Sequence, residues 1–132
     1  MIKITQDGKL LAIIIKAKQQ AELDGFVTGK DSPLQLGCLK FEKDQQVTPH
    51  EHRSLTKTTH MNQEFIYIVK GEVKAEFYFK NKIIAQDILK SGDMMLQMAG
   101  GHGFTFIKPT KIVTIKQGPY SSRKEEKIEL HP

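Results

Sequence analysis

The sequence predicts an all-β, single-domain protein built as an antiparallel sandwich or barrel, and three observations carry that expectation. Apolar and polar residues alternate with a period of two along nearly every ordered-looking stretch. Turn-forming residues separate these stretches at intervals of about ten residues. No long amphipathic pattern of period 3.6 lies between them, so crossover helices are not expected. A chain of 132 residues, 39% of them hydrophobic, can build one core and has no room for a second domain.

Taken in order, residues 10–16 and 34–41 read as the first strands, and residues 18–23 hold at most a helical turn. Residues 64–69 form a β-branched and aromatic run that ends at Lys70-Gly71, a hairpin signal. Val73, Ala75, Phe77 and Phe79 then alternate with Lys74, Glu76 and Tyr78, which describes a strand with one buried face. Lys80-Asn81-Lys82 marks a second tight turn into a strand at 83–89, and Ser91-Gly92-Asp93 punctuates before 94–98. After a glycine pair come strands at 102–107 and, past Pro109, at 111–117. The expected core runs over about 34–117, with a polar tail at 121–132 that drapes over the domain or frays.

Composition removes several function classes. The single cysteine, Cys38, excludes an intramolecular disulfide framework, and its place in a strand-like run suits an inert buried thiol. Residues 10–15 (LLAIII) form the longest apolar run, far too short to span a bilayer. With no leader pattern at the start, the expectation is a cytoplasmic protein with no membrane partner. The net charge of +5 comes from basic residues of which all but two are lysine, spread singly along the chain. Such a pattern is a solvated surface, so no nucleic-acid partner is expected. Arg53, directly after a histidine pair, is the arginine placed to hold an anionic substrate.

The chemistry-bearing residues are histidines. His50 and His52 are two residues apart, which on a strand puts both imidazoles on one face. Glu64 shares strand parity with Ile66 and Ile68, and His102 shares it with Phe104 and Phe106. If those apolar faces line the interior, a carboxylate and an imidazole point inward with them. A carboxylate there must protonate or find a cation. Three imidazoles and a carboxylate suit a divalent transition metal (Fe, Mn, Ni, Cu or Zn) and leave coordination positions for water or substrate.

These residues resemble the cupins, small β-barrels (double-stranded β-helices, or jelly rolls) whose first motif runs G-x5-H-x-H-x(3,4)-E-x6-G and whose second runs G-x5-P-x-G-x2-H-x3-N. His50-x-His52 matches the histidine pair, and Glu64 to Gly71 matches E-x6-G. Gly92, Met98, Gly100 and His102 resemble the second motif. The chain departs from the pattern at Asp44 and Met98, which replace a glycine and the proline, and one residue rather than two separates Gly100 from His102. Eleven residues, 53–63, also stand where the pattern has three or four. That longer loop contains His60, an alternative to Glu64 as ligand or a general acid or base at the cavity mouth. The Gly100 to Phe104 stretch and Lys116-Gln117-Gly118-Pro119-Tyr120 are similar to a group of small cupins of uncharacterised activity.

The resemblance implies a single-domain metal-binding cupin, with His50, His52, Glu64 and His102 as ligands and Met98, Phe104 and Phe106 lining a substrate pocket. It implies an enzyme acting on a small polar molecule, an oxygenase or an isomerase, with Arg53 or His60 orienting substrate. Two alternatives stand beside it: a metal-independent sugar or nucleotide-sugar isomerase or epimerase using His50 or His52 as base, and a non-catalytic metal or ligand-sensing module. Phe65, Tyr67 and Val69 make an outer face suited to a homodimer.

Overall fold

The computed structural model describes all 132 residues. Its strands are β1 (Ile2–Gln6), β2 (Lys9–Ile15), β3 (Gly25–Phe26), β4 (Gly37–Cys38), β5 (Glu64–Lys70), β6 (Glu72–Phe79), β7 (Lys82–Lys90), β8 (Met94–Gln97), β9 (Gly101–Phe106) and β10 (Lys111–Lys116). Two single-turn helices, α1 (Ala17–Gln20) and α2 (Arg123–Glu126), complete the elements. The fold is therefore mostly β with antiparallel pairing throughout. No helix is long and apolar enough to cross a membrane.

One sheet has the order β1-β2-β8-β5-β10, a second the order β7-β6-β9, and β3 pairs with β4. The period-two patterns become the two faces of these sheets. Ile4, Leu11, Ala12, Ile14, Ile66, Ile68 and Met95 of the larger sheet share one core with Val73, Ala75, Phe77 and Leu89 of the smaller. Buried residues begin at Ile4, so the core reaches upstream of residue 34 through β1 and β2.

The hairpin turns follow their residues. Lys80 and Asn81 both take positive φ, 48° and 63°, the geometry that matches the twist of a two-residue hairpin. Gly100, at φ 68°, turns the chain into β9, and a Cβ there would strike the carbonyl of Tyr78. Asp93 fastens the end of β2 to the turn before β8. Its carboxylate accepts from Ala17 N–H at 2.8 Å and Lys90 N–H at 2.9 Å, with Lys16 Nζ 3.6 Å away.

Two stretches differ from the sequence-based expectation. Of residues 34–41, only Gly37–Cys38 pairs, and the rest is irregular. Residues 39–63, which carry His50 and His52, form no strand at all and are exposed until Gln63. This stretch is rich in threonine and lysine, contains Pro49 and lacks alternation long enough to commit one face to the core. The tail drapes: α2 is capped by the Ser122 hydroxyl, which accepts from Glu125 N–H at 3.2 Å, and Asn81 holds the main chain of His131 by two hydrogen bonds of 2.8 and 3.1 Å.

Candidate functional site

The site forms where the open end of the larger sheet faces β9. In the β5–β8 and β5–β10 registers, Gln97 and Lys116 lie opposite Glu64, the first residue of β5. In the β6–β9 register His102 lies opposite Phe77 and Phe104 opposite Ala75, so both share the parity of that buried face. Glu64 likewise shares the parity of buried Ile66 and Ile68, so both polar residues lie on the inner side of their strands. Their side chains meet, with His102 Nε2 3.2 Å from Glu64 Oε2, and the imidazole packs at 5.1 Å, centroid to centroid, on the Phe104 ring.

Glu64 is held as an anion. Its carboxyl is lowered from 4.5 to about 2, chiefly by the hydrogen bond from His102, with further help from the Thr114 hydroxyl at 2.9 Å and the charges of His102 and Lys127, against the opposing effect of burial. A depressed carboxyl contributes stability that is fully present above its unfolded value near 4.5 and disappears as pH falls toward 2. With the side chain about one-fifth exposed, the contribution is about 2 kcal/mol after discounting for solvent screening. Glu64→Gln should therefore lower the urea midpoint at neutral pH, and the gap from the unmodified protein should narrow steadily as pH falls from about 4.5 through about 2. A gap independent of pH would show that the ionised carboxylate is not what matters.

The pair borders a cavity of about 710 Å³ whose walls include Gln63, Gln97, Gln117, Phe104 and Phe106, with Lys127, Leu130 and His131 of the tail on the outer side. Met98, expected in this lining, is absent from it. Gln97 carries the inward parity with Met95, so its neighbour Met98 alternates away, and the Met98 N–H is taken by the carbonyl of Leu11 at 2.8 Å. The three glutamines, Lys127 and His131 were not anticipated as lining. The inward parity of Gln97 was a usable signal, whereas nothing in the sequence brings the tail here.

The remaining predicted residues lie elsewhere. His50, His52, Arg53 and His60 are exposed on the irregular segment and border no part of the cavity. The His50 and His52 rings are 5.3 Å apart, and His50 Nδ1 lies 2.8 Å from the Thr48 carbonyl. No three His, Cys, Asp or Glu side chains are grouped to hold a metal ion. The structure thus brings together two of the four expected ligands, Glu64 and His102, and leaves the other two on the exposed segment.

What the assembled pair can hold follows from its span. Two ligands of one divalent ion, each about 2.0–2.2 Å from it at ordinary angles, stand about 3 Å apart. The 3.2 Å separation between His102 Nε2 and Glu64 Oε2 fits that requirement, and the carboxylate is already ionised. A carboxylate bonded to an imidazole is also an acid–base pair in its own right. No family model, no curated protein and no solved structure matches this chain.

Proposed function

We propose that the chain is a metal-binding cupin that acts on a small polar molecule at a mononuclear divalent-metal site. The observation that carries this reading is the Glu64–His102 pair at 3.2 Å on the wall of a 710 Å³ cavity. Glu64 and His102 would hold the ion together with His50 and His52, and the ion would supply Lewis acidity or, if iron, a site for oxygen. The protein's own part is to keep Glu64 ionised through Thr114 and His102 and to set Phe104 and Phe106 beside the pair as an apolar wall.

Delivery of His50 and His52 has support in the sheet edges. β9 and β10 each pair on one side only, and β9 is the strand that carries His102. Phe106 stays exposed along the β9 edge, as do Phe41, Val47 and Leu55 on the unpaired segment. Unpaired strand edges and unburied apolar side chains in one chain favour each other. Docking residues 39–63 against the β9 edge would bring the histidine pair to His102.

Adding manganese, nickel or zinc chloride should then slow trypsin cleavage at Arg53 and Lys57 by about tenfold, because ordering a segment withdraws it from the protease. The protection should vanish in His102→Ala. Equal cleavage with and without each metal would count against the delivery of His50 and His52.

A second reading is favoured by the same pair: a metal-independent isomerase or epimerase in which His102, oriented by Glu64, moves the proton. It predicts a protein with no stoichiometric metal. On the outer face, half-buried Phe65 and Tyr67 adjoin exposed Val69, Val113 and Ile115, a surface we assign to a second copy in a homodimer.

A further inference from the structure

Three glutamines stand around the Glu64–His102 pair, and each leaves one amide atom without a partner. Gln63 and Gln97 are 1% and 4% exposed, and with Gln117 they line the cavity. Their orientations are set by the main chain. Leu34 N–H donates to Gln63 Oε1 at 3.0 Å, which leaves Gln63 Nε2 as the free end. Gln63 N–H donates to Gln117 Oε1 at 2.6 Å, which leaves Gln117 Nε2. Gln97 Nε2 donates to the carbonyl of Ala99, which leaves Gln97 Oε1.

These three atoms, two donors and one acceptor, are shielded from solvent and have no hydrogen-bond partner in the protein. Every such side-chain atom in the chain belongs to this one cavity wall. Buried amides are ordinarily paired, so their concentration beside Glu64 and His102 points to a ligand that completes them.

We propose that Gln63, Gln97 and Gln117 are the polar subsite for a small hydroxylated carboxylic acid. Gln63 Nε2 and Gln117 Nε2 donate to its carboxylate oxygens, and Gln97 Oε1 accepts from its hydroxyl. Each amide is anchored at one end, and because its oxygen and nitrogen share one planar carbon the anchor also fixes the direction of the free end. The rim charges balance, Lys116, Arg123 and Lys127 against Glu64, Glu126 and Glu129, so the amides rather than net charge set the selectivity; Lys116 lies opposite Glu64 in the sheet, and the charge of Lys127 reaches the same carboxylate. Among the other rim charges, Arg123 lies 3.8 Å from Glu129, and Glu126 accepts from Ser121 N–H. The proposal rests on reading this cavity as a small-molecule site and does not depend on the metal.

The test is calorimetric titration of the purified full chain with glycolate and with acetate, which differ by one hydroxyl. Glycolate should bind about tenfold more tightly, since a site built to pair a hydroxyl discriminates against its absence. A bound metal could also prefer glycolate, so Gln97→Leu is the deciding variant. It should remove most of the glycolate advantage over acetate. Gln117→Glu keeps the oxygen that accepts from Gln63 N–H but replaces the free donor by a carboxylate oxygen, and should weaken both probes about tenfold or more. A glycolate preference that survives in Gln97→Leu, or failure of the unmodified protein to bind either probe, would overturn the subsite. Loss of the preference in Gln97→Leu from a protein that carries no metal would uphold the subsite and refute the metal reading alone.

Discussion

Replacing Phe77 by alanine is expected to destabilise the protein by about 3–5 kcal/mol, the cost of emptying an aromatic site in a packed core. Phe77 is fully buried in the second half of β6 and packs in the core with Val73, Ala75 and Leu89. On one side it pairs with Ala85 of β7 and on the other with His102 of β9. The loss should therefore reach the site, because β9 is attached to the sheet through β6 alone. Phe77→Leu refills most of the volume and should cost about 1–2 kcal/mol. Urea unfolding at equilibrium measures both, and a loss below about 1 kcal/mol in the alanine variant would show that this core is not close-packed around Phe77.

Removing His102 should have the largest effect on the site. Even groups one shell removed from a metal cost about 10–100-fold in affinity when deleted, so His102→Ala should weaken cobalt binding by more than about 100-fold. Glu64→Gln keeps the shape of its side chain and loses its charge, and should fall in the same range. His131→Ala also removes an imidazole from the cavity wall, but one held through its main chain by Asn81, and should bind cobalt as the unmodified protein does. Cobalt titration followed by visible absorbance reads all three variants. An undiminished affinity in His102→Ala would remove the pair from the proposed metal site.

The strands from β5 to β10 were legible because each is a short apolar or alternating run, clearest in β6, that ends at residues that must turn. Lys80-Asn81 and Ser91-Gly92-Asp93 fall where the sequence put the breaks. The N-terminal share of the core was harder to read. Residues 11–15 are apolar at every position, so alternation could not say that both faces of β2 are buried, as they are from Leu11 to Ile15. The segment at 34–41 has strand-like composition, but only two residues find a partner, and pairing is a tertiary fact.

The site divides along the same line. Glu64 and His102 were readable since each sits on a strand whose alternate positions are apolar, and one parity puts both on the inner side. His50 and His52 have the spacing of a ligand pair without the strand that would give the spacing meaning, for residues 39–63 carry no pattern that commits a face. The glutamines were hidden for another reason. Gln63 and Gln117 lie just outside β5 and β10, and their burial comes from Ser32, Leu34 and each other, contacts between distant parts of the chain.

The most direct measurement is elemental analysis of protein purified without an affinity tag, alongside His50→Ala and His102→Ala prepared in the same way. The unmodified protein should carry about one divalent transition-metal ion per chain, as for a mononuclear site, and both variants should lose it. An unmodified protein without stoichiometric metal would rule out the metal-dependent reading, and a His50→Ala variant that retains the ion in full would exclude His50 as a ligand.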